Sequence, residues 1–280
     1  MQRKISSAAV IGCGYVGEAL ALFLEQQGTS VTRVRRRSRE GQSAVVCCDV
    51  CDPKSLDALP TQVDVVFYLV SADEGSDAAY KQAYVDGTRN VIQHYLQQSV
   101  CPKRFVFVSS TGVYGQSSGE AVDEQSKTNP ESFTGTRLIE GEKLVLECDL
   151  DSVIVRFGGI YGPGRDRMLR IARERSRLEP SDYAFSNRIH RDDCARVLSH
   201  LAGLSKPLEV YNAVDNEPAL RADVLRWLAG QVGRTLEESA GTNTPGGKRV
   251  SNARLAASGY KFIYSTFREG YADLLKSPVD

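Results

Sequence analysis

The stretch that decides the fold of this 280-residue chain reads AAVIGCGYVG and runs from Ala8 to Gly17. Four apolar residues lead into a glycine-rich turn and an amphipathic segment follows, so the pattern predicts a strand, a tight turn and a helix. In such a turn one glycine permits the bend, a second lets a ligand approach the backbone, and a third lets the helix pack closely. The helix begins with free amides and the positive end of its dipole, which attract phosphate.

This turn is predicted to bind the pyrophosphate of a nicotinamide dinucleotide. A GxGxxG pattern alone is a weak signal, but here a strand precedes it, a helix follows it and a second strand comes at the expected distance. We expect the cofactor to contact the whole motif, namely Gly12, Cys13, Gly14, Tyr15, Val16 and Gly17.

Short apolar runs alternate with longer amphipathic stretches through the first two-thirds of the chain, which is typical of βαβ units. The runs lack polar alternation, as expected of strands that helices cover on both faces. We therefore predict an α/β protein with a Rossmann-type doubly wound parallel sheet. The predicted strands are Ala8–Ile11, Ser30–Arg35, Ala44–Cys48, Val63–Val70, Arg104–Ser109 and Ser152–Phe157, and the predicted helices are Tyr15–Gln27, Tyr80–Gln98 and Leu138–Cys148.

Beyond Gly158, prolines divide the chain into shorter pieces, which predicts a smaller C-terminal substrate lobe. We expect residues 1–157 to form the dinucleotide-binding domain and residues 158–280 to form mainly this lobe, with some segments returning to the Rossmann core. Gly241–Gly247 is rich in glycine and threonine and is predicted to be a loop. The helices predicted in this part are Met168–Arg177, Asp192–Leu201 and Leu220–Val232.

The composition favours a small-molecule partner over nucleic acid or a membrane. The 35 basic residues balance 35 acidic ones, so no net charge would attract the protein to nucleic acid or anionic lipid. Seven cysteines lack the spacing of a disulfide framework, and the CxxC at Cys48–Cys51 has no second pair for a metal, so no metal site is predicted. No segment resembles a signal peptide or membrane span, and a cytoplasmic location is expected.

The predicted second strand ends in the arginine-rich run RVRRR at residues 33–37. NAD sites usually place a carboxylate here to hold the ribose hydroxyl, whereas guanidinium groups bind a 2′-phosphate and stack on adenine. We therefore favour NADP(H) over NAD(H) and assign the phosphate to Arg35 and Arg36, although such a run is also typical of a solvated strand end. Asp49 and Val50, after the third strand, are expected near the adenine.

Five ordered motifs follow the glycine turn. They are YVDGTRNV at residues 84–91, VSSTGVYG at 108–115, RFGGIYGPG at 156–164, RIHRDDCA at 188–195 and KRVSNARL at 248–255. Together they resemble an extended short-chain dehydrogenase/reductase, more narrowly the NAD-dependent epimerase/dehydratase group, over nearly the whole chain. On this resemblance, further cofactor contacts are expected at Val70, Ser71, Ser109, Arg137, Gly159 and Ile160.

The resemblance makes Ser110 the hydroxyl that bonds the reacting oxygen. A Tyr-x-x-x-Lys pair should follow about 24 residues later, with Tyr as general acid/base and Lys lowering its pKa. Here Thr134 stands in the Tyr position and Leu138 in the Lys position. A threonine hydroxyl is a far weaker acid than a phenol, so it cannot perform the same proton transfer unaided. Arg137, next to the missing lysine, is expected to reach the ribose or a substrate anion.

Three other residues are candidates for the missing proton donor, and each has a structural alternative. Tyr114 follows Ser110 but mostly lines the cleft in relatives. Tyr161 comes after the last predicted strand, at the edge where α/β proteins bind ligands, although its segment is equally a turn. His190 opens a predicted helix and is more typical of a structural histidine. The predicted catalytic residues are Ser110, Tyr114 and Thr134.

Two functions from different classes follow from these patterns. The first is an NADP(H)-dependent oxidoreductase, or an enzyme of the epimerase/dehydratase type, that acts on a small carbonyl or hydroxyl compound. The second is a binding module that holds NADP(H) without turnover, which the absent Tyr and Lys favour. Extended relatives often pair through helices equivalent to Tyr80–Gln98 and Leu138–Cys148, so a homodimer is also expected.

Overall fold

The computed structural model describes residues 3–37, 45–238 and 244–276. Its α-helices are α1 (Tyr15–Gln26), α2 (Asp77–Lys81), α3 (Gly87–Leu96), α4 (Phe133–Leu146), α5 (Arg167–Glu174), α6 (Arg191–Gly203), α7 (Arg221–Gln231), α8 (Ala253–Ala257) and α9 (Phe267–Lys276). Within these described ranges, no helix is long and apolar enough to cross a bilayer.

The strands of the described residues are β1 (Ser7–Ile11), β2 (Ser30–Arg35), β3 (Val46–Cys47), β4 (Val65–Tyr68), β5 (Arg104–Ser110), β6 (Ser118–Val122), β7 (Ser152–Phe157), β8 (Gly159–Tyr161), β9 (Ala184–Ser186), β10 (Arg188–His190), β11 (Val210–Ala213), β12 (Ala219–Leu220) and β13 (Gly246–Val250). The six predicted strands are present in the predicted order as β1 to β5 and β7, and the other strands, including β6 at Ser118–Val122, were not predicted. Ala44, with which the predicted third strand began, lies outside the described residues.

The central sheet has the strand order β11-β7-β5-β4-β1-β2-β3. β1 pairs in parallel with β2 on one side and β4 on the other, and β2/β3 and β4/β5 are parallel as well. Because the chain leaves β1 in one direction and returns on its other side, the sheet is doubly wound. The predicted Rossmann-type α/β fold is therefore confirmed, and the carboxyl ends of the central strands lie at one edge, where such folds bind ligands.

The long helix predicted over Tyr80–Gln98 is instead divided into α2, a π-helical turn at Gln82–Asp86, and α3. The phenol of Tyr68 on β4 donates to the carbonyl of Ala83 at 2.5 Å, so a buried side chain from the sheet binds a carbonyl of the widened turn. Gly87 follows at once, and a Cβ there would lie 2.6 Å from the Tyr68 Oη. Contact with the sheet, which no local pattern encodes, sets this irregularity.

Helix α4 begins at Phe133, five residues before the predicted start at Leu138. Ser132 caps it, because its hydroxyl accepts the amide of Gly135 at 3.3 Å. A Cβ on Gly135 would lie 2.4 Å from Pro130 and 2.8 Å from the carbonyl of Gly112. The start of α4 is thus packed directly on the turn that follows β5.

The chain divides into two compact units. The first comprises Met1–Tyr114, Lys127–Arg156 and Cys194–Tyr211, and the second comprises Gly115–Ser126, Phe157–Asp193 and Asn212–Asp280. The second unit contains a sheet of order β12-β9-β13-β6 and the parallel pair β8/β10. Residues 241–243 of the predicted loop Gly241–Gly247 lie outside the described residues, and the prediction is wrong for Gly246 and Gly247, which begin β13.

Each unit has its own hydrophobic core. The core of the first unit joins the inner strands to the helices that cover them and includes Ile11, Val66, Tyr68, Val91, Phe105, Phe107, Val145 and Ile154. The core of the second unit forms around α5, α7 and α9 and includes Tyr161, Leu169, Ala172, Leu225, Leu228, Phe267 and Tyr271. Burial of such side chains contributes roughly 1.5–3 kcal/mol each.

We predict that Gly12→Ala destabilises the protein more than Gly28→Ala. Both glycines have a positive φ, of 87° and 80°, which costs an alanine about 1–2 kcal/mol. A Cβ at Gly12 would also lie 2.6 Å from the Leu69 and Val70 backbone, whereas at Gly28 it would meet no described atom within 4 Å. Urea denaturation gives the free energy of unfolding of both variants, and their difference is the steric cost at Gly12. Equal losses of this free energy would contradict the close approach of Gly12 to the Leu69 and Val70 backbone.

Candidate dinucleotide site

The glycine turn is held against the end of β2. The amides of Gly12 and Cys13 both donate to the carbonyl of Val34, at 3.1 and 3.0 Å. A Cβ on Gly17 would lie 2.9 Å from the carbonyl of Gly12, so α1 starts close to the sheet. A Cβ on Gly14 would meet only that same carbonyl, at 3.9 Å, among the described atoms. The backbone at Gly14 is thus open to a ligand at the helix N-terminus, as pyrophosphate binding requires.

Cys13 lies inside this turn and contributes no reactive thiol. Its side chain is buried, and its Sγ donates to Glu18 at 3.5 Å. Burial, followed by the nearby carboxylate of Glu18, raises the pKa of Cys13 to about 11. The thiol therefore stays protonated at neutral pH, and Cys13 can serve a cofactor only through its backbone.

The arginines at the end of β2 have different partners. Arg33 is buried, and its guanidinium donates to Glu18 at 3.1 Å and to both oxygens of Glu25, at 2.6 and 2.8 Å. The hydrogen bonds to Glu25 raise the pKa of Arg33 and outweigh the opposing effect of burial. Arg33 therefore ties β2 to α1 rather than forming a solvated strand end.

Arg35 braces the glycine turn. Its Nε donates to the carbonyl of Cys13, and its Nη2 donates to Glu18 at 2.6 Å. Glu18, in the first turn of α1, thus binds both Arg33 and Arg35. This carboxylate is the residue that positions the arginine-rich strand end beside the turn.

Arg36 lies outside this brace. Its side chain is 46% exposed and forms an ion pair with Asp73, which is 63% exposed and lies in the segment after β4. The hydrogen bond that Arg36 donates to Asp73 and, more weakly, the charge of Asp49 raise the pKa of Arg36. Arg36 therefore faces two segments, one after β3 and one after β4, which border the predicted adenine site.

The remaining predicted contacts of the adenine side lie at the same edge of the sheet. Leu69 donates its amide to the carbonyl of Ile11 at 2.7 Å, which places Val70 against the glycine turn and leads to the exposed Ser71. Val50 is buried, and its carbonyl accepts the Asn90 side chain at 2.9 Å. The structure thus brings the ends of β1 to β4 together, as the prediction required. Their contact with a cofactor stays a prediction.

A buried ion pair between Glu142 and Arg156 supports the end of β5. Arg156 donates to the two carboxylate oxygens of Glu142 at 2.9 and 2.6 Å, and the side chains of Arg156 and Glu142 are 7% and 5% exposed. Burial opposes the charge on Arg156, but the hydrogen bonds and charge of Glu142 outweigh it and raise the pKa of Arg156. Ser109 Oγ donates to the same carboxylate at 2.6 Å. The buried hydroxyl of Ser109 thus has a structural partner.

Ser110 presents its hydroxyl differently from Ser109. Successive side chains of a strand point to opposite faces, so Ser110 turns away from Glu142. Its Oγ accepts the amide of Gly112 at 3.1 Å and caps the short 3₁₀ turn that follows. A hydroxyl that accepts from the backbone keeps its own hydrogen for a ligand. This geometry suits the predicted bond from Ser110 to a reacting oxygen.

Tyr114 belongs to the buried network. Its side chain is 2% exposed, its phenol oxygen accepts from Arg156 Nη1 at 2.9 Å, and the guanidinium also lies 5.1 Å from its ring centre. These contacts account for Tyr114 in structural terms. Its role as a proton donor stays a prediction.

The start of α4 carries the departures from the Tyr-x-x-x-Lys pattern. Thr134 shares a hydrogen bond of 2.8 Å with Ser132, the cap of the helix. Leu138 is buried at 5% exposure, so an apolar side chain is packed where a lysine would stand. Arg137 donates twice to Asp77, both at 2.8 Å, and also binds Glu140. The predicted ribose contact of Arg137 would therefore compete with two carboxylates.

The predicted contacts Gly159 and Ile160 lie in the second unit. They belong to β8, whose register pairs Ile160 with Ile189 on β10. Tyr161 and His190, the other two candidates for the proton donor, are packed in the same unit. Their ring centres are 5.3 Å apart. Burial raises the pKa of Tyr161 and lowers that of His190. Both groups are therefore held neutral in the interior of the lobe.

The carboxylates that bind Arg35, Arg36 and Arg156 were not predicted from the sequence. A signal for Glu18 existed, because the helix after β1 packs beside β2 in any βαβ unit and long side chains from the two can meet. No local pattern pairs Glu142 on α4 with Arg156 on β7. Asp73 lies in a segment whose course no local pattern predicts.

The comparisons with known proteins agree with this geometry. The sequence model of the NAD-dependent epimerase/dehydratase family matches residues 8–204. Protein YeeZ of Escherichia coli strain K12 is 28% identical over 222 residues, which cover 74% of this chain and 77% of YeeZ.

Two solved structures extend the likeness to nearly the whole chain. A protein of Methylobacillus flagellatus named for the same family is 35% identical and covers 97% of this chain and 98% of its own, with a TM-score of 0.84. The human epimerase family protein SDR39U1, solved with NADPH, is 21% identical over 97% of this chain and 100% of its own, with a TM-score of 0.81, which shows a shared fold.

We predict that Glu142→Gln lowers the free energy of unfolding by about 3 kcal/mol, because it leaves the buried guanidinium of Arg156 without its counter-ion. Lys143→Gln, one residue away and exposed with a partner at 3.7 Å, is the matched control and should cost less than about 0.5 kcal/mol. Urea denaturation measures both. Similar losses for the two variants would show that the pair does not stabilise the fold.

Proposed function

Because this chain belongs to the NAD-dependent epimerase/dehydratase family, we propose that it binds NADP(H) and acts as an oxidoreductase on a small carbonyl or hydroxyl compound. The observation that carries the cofactor proposal is Arg36, a guanidinium at the end of β2 that extends beyond the braced glycine turn. The nicotinamide would supply or accept the hydride. The residues of this chain would bind and orient both ligands.

The glycine turn fits the group it would hold. The open side of Gly14 and the start of α1 suit pyrophosphate, while Gly12 has room for no Cβ beside the Leu69 and Val70 backbone. Arg36 would bind the 2′-phosphate, and Arg35 would keep its contact with the turn. NADPH in the human SDR39U1 structure supports this cofactor, although MoeE5, with the same fold at 20% identity, was solved with NAD. We favour NADP(H) over NAD(H) because of the arginines at the end of β2, Arg36 above all.

For the reaction itself, we infer that Ser110 donates to the carbonyl oxygen of the substrate. This hydrogen bond strengthens as negative charge develops on the oxygen, which favours hydride addition. Thr134, at the start of α4, is the other hydroxyl predicted to take part, and Tyr114 is available only if its phenol leaves Arg156. Contacts from Gly159 and Ile160 to the cofactor belong to the same proposal.

A second candidate function is an NADP(H)-binding module without turnover. The buried Leu138 favours it, because this position supplies no charge to lower the pKa of a neighbouring acid. The pairing of Arg137 with Asp77 and Glu140 favours it as well, since this cation, next to Leu138 in the chain, is already bound by carboxylates. Transfer of a labelled hydride separates the two functions, because binding alone cannot move the label.

The expected partner is a small molecule in the cytoplasm, and the chain is proposed to form a homodimer. Two observations support pairing through α3 and α4: Leu96 is 37% exposed and Leu146 is 44% exposed. The proposed cytoplasmic location rests on the spacing of the seven cysteines, which is not that of a disulfide framework.

We predict that Arg36→Gln weakens NADPH binding about tenfold and leaves NADH binding within about twofold, because a charge-assisted hydrogen bond to phosphate contributes about 1.5–3 kcal/mol. Isothermal titration with both cofactors measures this change. Arg170→Gln is the matched control, since Arg170 is an exposed arginine near a single aspartate, Asp166, in the second unit. An equal loss for both cofactors would reject Arg36 as the phosphate ligand.

We predict that Ser110→Ala lowers label transfer from 4-deuterated NADPH to small aldehydes and ketones about 100-fold, because it removes a donor to the developing oxyanion. The dissociation constant for NADPH should not change. Ser152→Ala is the control. Ser152 lies at the start of β7, and its hydroxyl donates to the carbonyl of Val145. Undiminished transfer in Ser110→Ala would exclude Ser110 from the chemistry, and no transfer by the wild type would favour the binding module.

A further inference from the structure

We propose that Asp73 occupies, in the free protein, the anion site on Arg36 that the 2′-phosphate of NADP(H) takes, and that it thereby sets the cofactor selectivity. The inference rests on the proposed function, since it concerns the same site. Its consequence is that the carboxylate must leave Arg36 before NADP(H) binds fully.

The partners of Arg33, Arg35 and Arg36, three of the four arginines in residues 33–37, single out this ion pair. Arg33 is 6% exposed and Arg35 is 14% exposed, and Glu18 binds both of them. A phosphate could reach these two guanidinium groups only by breaking the contact that positions the glycine turn. Arg36 is bound instead by Asp73, and both members of that pair are about half exposed or more. It is the pair that a ligand can open without disturbing the brace.

The position of Asp73 lets it move independently of β2. Asp73 follows the segment Leu69–Ala72, which leaves β4 beside the glycine turn, and it precedes α2. Nothing in the brace between β2 and α1 depends on it: Glu18 and Glu25 hold Arg33, and Glu18 holds Arg35. The contact between Arg36 and Asp73 therefore joins two segments across the predicted adenine site, where the 2′-phosphate would enter.

Charge decides which anion Arg36 prefers. A phosphate ester carries up to two negative charges and three acceptor oxygens, whereas a carboxylate carries one charge and two oxygens. Exposed ion pairs are weak, so the phosphate can displace Asp73 at little cost. The ribose hydroxyl of NAD(H) is neutral and cannot compete with the carboxylate for the guanidinium. The pair thus stays closed for NAD(H) and opens for NADP(H).

The proposal predicts opposite effects on affinity from two neighbouring residues. Arg36→Gln removes the phosphate ligand and weakens NADPH binding. Asp73→Asn removes the competing charge and should tighten NADPH binding about threefold, within the range measured for exposed ion pairs, with NADH unchanged. Glu74→Gln is the matched control: it removes the same charge one residue away, from a side chain that accepts from Ser76. It should leave the ratio of the two affinities unaltered.

The test is a titration of the wild type and these variants with NADPH and NADH at low and high salt. Tighter NADPH binding in Asp73→Asn but not in Glu74→Gln, with a difference that shrinks at high salt, would support the proposal, because salt screens exposed charges. Unchanged NADPH binding in Asp73→Asn would overturn it, and so would weaker NADH binding, which would make Asp73 a ribose ligand. A wild type that binds neither cofactor would instead overturn the proposed function itself.

Discussion

The buried ion pair between Glu142 and Arg156 is the interaction on which the arrangement of the first unit depends. It joins α4 to β7, and through Ser109 and Tyr114 it reaches the end of β5 and the turn that follows. Two buried charges are tolerated only when their hydrogen bonds are satisfied, so the pair restricts these elements to one register. Ser110 follows Ser109 on β5, and its hydroxyl accepts the amide of Gly112 instead of joining this network.

Ion pairs between a carboxylate and an arginine also lie beside the glycine turn, where their carboxylate side chains are more exposed than that of Glu142. Glu18 ties the strand end to the helix that starts at the glycine turn, in a partly buried setting. Asp73 binds Arg36 at the surface, where the pair can exchange partners. Burial thus separates the charges that hold the fold from the charge that is available to a ligand.

Much of the first unit could be predicted from local pattern, because apolar runs and glycine turns report strands and tight bends directly. The strands Ser30–Arg35 and Ser152–Phe157 match the prediction residue for residue. The start of α4 and the π-helical turn at Gln82–Asp86 could not be predicted, because both depend on contacts with β4 and with the turn after β5. Why Gly135 and Gly87 have no room for a Cβ becomes clear only when those neighbours are known.

The sequence by itself determined the doubly wound fold, the family and the position of the dinucleotide turn, since these depend on residues close together in the chain. It also showed that Thr134 and Leu138 replace the usual pair. Only the tertiary structure decided which arginine is available to a phosphate and which hydroxyl is already bonded to Glu142. Those answers depend on carboxylates from distant segments. Whether a charged or hydroxyl side chain can bind a ligand depends on the partner beside it, and the tertiary fold sets that partner.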